Sequence, residues 1–270
     1  MAIPKEVFDF LSHDDHLFSK TISMIQEGLD QRFYPSAVCV IGDKNGILQK
    51  KAFGQPRWFS DDNPCFDITP EKPLIHSPSC TVDTMYDMAS CSKVLGTTML
   101  ALKALENGEY TLRDSIWRFI PDAPEDKRDI EMFDLLTHRG GFAPWFDLEA
   151  QGFAPAEAEK GIFSYPLQYE TGKEVRYSCM GYILLGKILE RIYGTSLDKA
   201  VEENVFSAIG MKNTMYNPLL KGFKGTIAPT EYDKKTNQYK YGTVHDENAA
   251  FLNGISGNAG VFSTGEDIAK

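Results

Sequence analysis

In "YDMASCSKVLGTTMLALKALENG", residues 86–108, Ser90 and Lys93 stand three positions apart at the opening of a helical pattern. Residues i and i+3 of a helix are neighbours on one face, so the Lys93 amine can lie beside the Ser90 hydroxyl. A serine in the first turn sits at the positive end of the helix dipole. Its own N–H lacks an intrahelical acceptor and can face a developing oxyanion. A lysine must shed its proton to act as a base, and burial or nearby cations favour that neutral form. Ser–Lys pairs are a known variant of nucleophilic catalysis. The plainer alternative is a capping serine beside a solvated lysine. Ser-x-x-Lys is so short that about one chance match is expected in a chain of this length. A second copy, Ser196-Leu197-Asp198-Lys199, is present. There Ser196 takes an N-cap position at the start of "SLDKAVEENVFSAIG", which explains the match without chemistry.

The surrounding elements decide whether Ser90 and Lys93 can be held together. Leu17, Ile22, Ile25 and Leu29 recur at near-helical spacing over residues 14–31. "SAVCVIGDKNGILQKKAFG" is two apolar runs joined by Asp-Lys-Asn-Gly, a hairpin pattern. Residues 55–84, rich in Pro, Asp, Ser and Thr, read as a long loop. From residue 86 the chain is mainly helical. Met99, Leu102 and Leu105 are expected to form the packed face of the first helix, which stops at Asn107-Gly108. "IEMFDLLTHRGG" predicts a short helix with a glycine stop. "MGYILLGKILERIYG" is apolar nearly all round, which predicts a central, buried helix. The final "FSTGEDIAK" reads as a helix start, with Ser263 or Thr264 as N-cap and Glu266 and Asp267 in the first turn. Because one helical turn is not stable alone, the sequence is expected to be a fragment of a longer protein.

Bulk properties exclude several classes. The chain has 270 residues, 42% of them hydrophobic, and a net charge of -10. Its mean hydropathy is -0.30, ordinary for a folded soluble chain. The negative charge and the lack of any Lys/Arg cluster argue against nucleic-acid or anionic-membrane partners. The N-terminus shows no signal peptide or membrane anchor, which points to a cytoplasmic location. Cys39, Cys65, Cys80, Cys91 and Cys179 contain no C-x-x-C pair and read as free thiols. No metal or other cofactor is implied. His13 and His16 in "SHDDH" read as a polar helix start rather than as metal ligands, and His138 as a helix end cap. No role is assigned to His245. "NGISGNAG" lacks the strand and lysine of a phosphate loop.

Five segments taken in order resemble the serine β-lactamase and penicillin-binding-protein family, in its class C-like branch with related esterases and D-aminoacyl peptidases. "TMYDMASCSKVLGTTMLALKALENGEYTLRDSIWRFIPD" resembles the family's nucleophile helix, and "IEMFDLLTHRGGFAPW" its "LLTHTSG" segment. "VRYSCMGYILLGKILERIYGTSLDKAVEENVFSAIGMKNTMYN" resembles its Tyr-x-Asn stretch. "VHDENAAFLNGISGNAGVFSTGEDIAK" and the N-terminal hairpin match further segments. The resemblance spans nearly the whole chain. It implies an α/β fold of the α+β type, β-lactamase/transpeptidase-like, with a helical lobe packed on an antiparallel sheet. It also implies one incomplete domain over 1–270, with a sheet-side lobe at 1–85 and a mainly helical lobe at 86–270.

The resemblance implies that Ser90 is the acyl-accepting nucleophile, Lys93 its partner, and Tyr177 the phenol that shuttles protons. The family's Asn position is occupied by Cys179, a tentative substrate-binding residue. A thiol is a weak donor and acceptor, which counts against efficient β-lactam hydrolysis. The family's third element, Lys-Thr-Gly or His-x-Gly on a flanking strand, is not found, and "KYGT" at 240–243 falls too early. The C-terminal strands of the sheet are therefore expected to be missing, and the chain as it stands to be a weak catalyst. The implied function is a serine hydrolase with an acyl-enzyme intermediate, acting on an ester, amide or D-aminoacyl peptide. The alternative is a catalytically impaired or non-catalytic binding protein. The expected partner is a small-molecule or peptide substrate.

Overall fold

A computed structural model of the chain describes residues 18–56, 79–233 and 238–270. The expectations for His13, His16, Cys65 and the central part of the 55–84 loop fall outside these residues. In chain order come helix α1 (Ser19–Asp30) and strands β1 (Ser36–Asp43), β2 (Gly46–Gly54) and β3 (Tyr86–Asp87). Helices α2 (Met99–Glu106), α3 (Met132–Leu136), α4 (Ala158–Ser164), α5 (Cys179–Tyr193) and α6 (Leu197–Val201) follow. Strands β4 (Met215–Tyr216), β5 (Tyr232–Asp233) and β6 (Gln238–Tyr239), helix α7 (Glu247–Phe251), strand β7 (Val261–Ser263) and helix α8 (Gly265–Ile268) complete the order. Among the described residues, no helix is long and apolar enough to cross a membrane.

The chain divides into two compact units. The first comprises Met1–Tyr86, Lys224–Tyr241 and Thr264–Lys270. In it β1 and β2 form the expected antiparallel hairpin, with register from Ser36↔Gly54 to Asp43↔Gly46. The turn forms because Asp43 Oδ1 accepts the Asn45 N–H at 2.7 Å, and because Gly46 takes a φ of 133° closed to other residues. Of the two candidate caps for α8, Thr264 holds the position and accepts the Asp267 N–H at 3.4 Å. Helix α8 packs on β1 so closely that a Cβ at Gly265 would lie 2.9 Å from Val40 Cγ2.

The second unit comprises Asp87–Phe223 and Gly242–Ser263. It is mainly helical around α5, which is buried from Cys179 to Leu189 except at Lys187, as its all-round apolar pattern predicts. Ser178 caps its start by accepting the Gly181 N–H at 3.1 Å, and Gly194 ends it in the left-handed region at φ 66°. Leu135, Ile162, Val201, Phe206, Tyr216 and Val261 close one continuous core around it. Each large apolar side chain so buried contributes about 1.5–3 kcal/mol. Strands β4 and β7 pair antiparallel, Met215↔Phe262 and Tyr216↔Val261.

Helix α2 corrects the sequence reading. Its packed face is Leu100, Ala101 and Ala104, all fully buried, while Met99 and Leu102 are each 46% exposed. Ala101 and Ala104 let α2 approach α5 and Tyr110, whose hydroxyl donates to the Ala101 carbonyl at 3.0 Å. Leu105, the third residue of the expected face, is partly buried and packs against the core, so the buried stripe is rotated from the expected one rather than opposite to it. A wide π-helical turn over Lys93–Thr98 precedes α2 and sets its phase.

The tightest backbone contact in this unit lies between α5 and the 255–260 segment. A Cβ on Gly257 would stand 2.0 Å from the Tyr182 carbonyl oxygen and 3.0 Å from Gly186 Cα. Gly257→Ala is expected to lower stability by about 1–3 kcal/mol, since backbone and not a flexible side chain would have to yield. Chemical denaturation checks this, and an unchanged midpoint and slope would count against such close packing.

Candidate active site

Ser90 is the middle residue of a 3-10 turn, Ala89–Cys91, and is exposed. The turn is held from below by Asp87. One oxygen of its carboxylate accepts the Ala89 N–H at 2.8 Å and the other accepts the His245 N–H at 2.8 Å. Ala89 has φ 44°, a left-handed conformation uncommon for a residue with a Cβ. Strain of this kind persists where the surroundings over-determine it. Ser92, fully buried, has a structural part, as its Oγ accepts the Val261 N–H at 3.0 Å. One turn of chain thus sends Ser90 outward and Ser92 inward.

Lys93, at 3% exposure, lies beneath Ser90. Its Nζ is 3.1 Å from Ser90 Oγ, 2.5 Å from the Tyr177 hydroxyl, 2.9 Å from the Asn258 carbonyl oxygen and 3.6 Å from Cys179 Sγ. Among the described residues, no carboxylate pairs with it. The carbonyl can only accept, so one N–H of Lys93 is committed there. The two hydroxyls and the thiol can each donate or accept. The amine therefore has partners in either protonation state, a condition for passing a proton between Ser90 and Tyr177.

The four residues singled out from the sequence thus converge: Ser90, Lys93, Tyr177 and Cys179. Tyr177, 49% exposed, immediately precedes the Ser178 cap of α5. Ser178 Oγ also donates to the Ala143 carbonyl at 2.8 Å, and the Cys179 N–H to the Pro144 carbonyl at 2.8 Å. The second Ser-x-x-Lys has no such arrangement. Ser196 stands at the cap position of α6, its hydroxyl donates to Asp198 Oδ1 at 2.6 Å, and Lys199 is exposed.

Asn258 is the participant that sequence reasoning missed. Its contribution is a main-chain carbonyl, which no search by residue type can detect. Thr97 Oγ1 donates to the Gly257 carbonyl at 2.8 Å, and the close Gly257–Gly186 contact keeps the segment in place. The Asn258 side chain accepts from Ser256 Oγ at 2.6 Å and donates to Asp246 Oδ1 at 3.0 Å. Asp246 also caps α7 through the Ala249 N–H at 2.8 Å. "NGISGNAG" therefore braces Lys93. His138 ends α3, as expected, but does so in the left-handed region at φ 57° where a glycine was anticipated, with its ring 4.8 Å from that of Tyr177. Lys240 of "KYGT" pairs with Glu231 at 3.1 Å in the first unit. The described cysteines, 39, 80, 91 and 179, are free thiols. Among the described residues, no cluster of three or more His, Cys, Asp or Glu could hold a metal.

Residues 22–270 match the family model named Beta-lactamase. A provisionally assigned D-alanyl-D-alanine carboxypeptidase of Escherichia coli K12 is 35% identical over 263 residues, covering 87% of this chain and 58% of that protein. The chain spans less than two thirds of the length of the curated relatives it matches. The penicillin-binding protein homologue of Pyrococcus abyssi superposes with TM-score 0.68 at 21% identity, over 94% of this chain and 55% of that one. A class C beta lactamase of Rhodobacter sphaeroides does so with TM-score 0.67 at 19% identity, over 92% and 62%. At these identities the likeness concerns the fold, which is β-lactamase/transpeptidase-like and of α+β type.

Burial raises the Asp87 carboxyl above its usual range, against the pull of its two backbone N–H bonds. A folded-state value above the unfolded one means that the ionised form is penalised in the folded chain, and that the penalty fades as pH falls through the raised value. The stability of wild type relative to Asp87→Asn is therefore expected to shift in favour of wild type between about pH 7 and about pH 4. Paired denaturation curves read this directly. A shift in the opposite sense would mean that the N–H bonds outweigh burial.

Proposed function

The chain belongs to the beta-lactamase family, and from that premise we propose that it carries the nucleophilic half of a serine acyl-transfer site. One observation supports this above others: the buried Lys93 amine bonds both Ser90 Oγ and the Tyr177 hydroxyl. In the proposed reaction Ser90 Oγ attacks the substrate carbonyl carbon while its proton passes to the Lys93–Tyr177 pair. The negative charge forms on the carbonyl oxygen. The Ser90 N–H, in the first turn of its 3-10 helix, is available to that oxygen. Collapse of the adduct expels the leaving group, which takes its proton from Tyr177 and leaves an acyl ester on Ser90. Water, deprotonated by the same pair, then hydrolyses the ester.

The substrate class we propose is an ester, amide or D-aminoacyl peptide. The carboxypeptidase names of the relatives favour the last. Cys179 stands beside Lys93 where the family pattern has an amide side chain, and its thiol holds a substrate amide poorly. That favours substrates recognised by other groups and weighs against β-lactams. The same residue favours a second reading, a scaffold that binds without turnover. Burst kinetics with an activated ester separates the two, because a binding module releases no stoichiometric burst.

A fluorophosphonate probe is expected to label the wild-type chain and not Ser90→Ala. Labelling that survives the substitution would overturn the assignment of the nucleophile. Tyr177→Phe is expected to slow acylation by about 10²–10⁴-fold, the usual contribution of a positioned acid–base group. A wild-type rate in that variant would remove Tyr177 from the proton path.

A further inference from the structure

We propose that His138 is a pH-responsive positioning residue for Tyr177, whose neutral imidazole holds the backbone beside that phenol and releases it on taking up a proton. The inference rests on the acyl-transfer reading for its catalytic consequence, but the clamp itself can be observed without turnover. The Ser178 backbone N–H lies 3.1 Å from His138 Nδ1. A backbone N–H can only donate, so Nδ1 must be the unprotonated nitrogen and Nε2 carries the proton. Two residues earlier, the Arg176 N–H donates to the His138 carbonyl at 2.9 Å. His138 therefore grips the chain on both sides of Tyr177, once with its main chain and once with its ring.

The ring is boxed in. Its centroid lies 4.8 Å from that of Tyr177 and 4.9 Å from that of Tyr182. Tyr182 is itself tied to the Leu136 carbonyl at 3.2 Å and to Thr98 Oγ1 at 3.0 Å. The backbone at His138 is left-handed, φ 57°. Glycine or asparagine enters that region more easily. An imidazole retained there despite the strain is what a functional side chain would require.

The charged and titratable neighbours are few. Lys93 faces the ring from the nucleophile helix, and its charge, after burial, is the second cause holding the His138 pKa below its usual value. Tyr177 and Tyr182 flank the ring from the segment before α5 and from α5 itself. Tyr169 donates its hydroxyl to the His138 carbonyl at 2.9 Å. Asp134, on α3, lines a small cavity together with His138, and its Oδ2 accepts the Glu131 N–H at 3.1 Å. The Arg139 guanidinium lies over the Phe133 ring and that of Arg176 on Glu174. Among the described residues, no carboxylate pairs with the His138 ring. An imidazolium formed here would turn an N–H toward the Ser178 N–H, donor against donor, with no anion to hold it. The sign follows: the clamp is intact above the depressed pKa and is lost as pH falls through it.

Two variants separate the roles of the ring. His138→Asn places Oδ1 where Nδ1 was, tolerates the left-handed backbone, and cannot titrate. His138→Leu removes the acceptor. In free wild-type chain, the Ser178 amide resonance in 1H–15N spectra is expected to move with the titration of the His138 ring, and to stay still over the same range in His138→Asn. The rate of fluorophosphonate labelling at Ser90 is expected to fall about tenfold per pH unit on the acid side in wild type. The fall should be shallower in His138→Asn, whose residue 138 cannot titrate. His138→Leu should label about 10–100-fold more slowly than wild type above the His138 titration and at a similar rate below it, where neither chain holds the phenol in place. A Ser178 resonance that ignores the histidine titration overturns the clamp. So does an acid limb that is identical in wild type and His138→Asn. If the wild-type chain is not labelled at any pH, the acyl-transfer reading fails, and the catalytic consequence proposed for His138 fails with it; the Ser178 resonance then still decides whether the clamp exists.

Discussion

A buried amine that meets no carboxylate among the described residues is the constraint around which the helical unit is arranged. Lys93 is 3% exposed, and its partners are a main-chain carbonyl, two hydroxyls and a thiol. Burying a charge without a counter-ion is unfavourable, and a chain under no functional demand would replace or pair it. Here the four partners come from three segments: the Ala89–Cys91 turn, the start of α5, and the "NGISGNAG" loop. The amine ties them together, and in turn each of them must be placed to within a few tenths of an ångström for the amine to be satisfied.

Two left-handed residues that are not glycine flank this centre. Ala89 precedes Ser90, and His138 contacts the segment that carries Tyr177. In both cases hydrogen bonds stabilise the strained backbone, from Asp87 in the first and from Arg176 and Ser178 to residue 138 in the second. The strain fixes where a side chain points. Ser90 is turned outward while Ser92, two residues on, is locked inward on Val261.

Cys179 changes the character of the site more than its geometry. It begins α5 and sits 3.6 Å from Lys93. A thiol can neither bridge a substrate amide nor orient the lysine as a carboxamide does. The orienting task falls to the Asn258 carbonyl, which is held by Thr97, Gly257 and the Asp246–Asn258 contact.

Residue types and their spacing determined a good deal. The hairpin with its Asp-Lys-Asn-Gly turn, the buried α5 and the α8 start were all legible, because local hydrogen bonds and side-chain periodicity decide them. The pairing of Ser90 with Lys93 was legible for the same reason, since three residues on a helix is a contact distance. Tyr177 and Cys179 were legible only through family resemblance, as 84 and 86 residues separate them from Lys93. The face of α2, the bracing by Asn258 and the clamp by His138 belonged to tertiary structure alone. The first depended on how closely small side chains allow helices to approach. The other two depended on a main-chain carbonyl and on one nitrogen of a ring, atoms whose partners exist only once distant segments have packed.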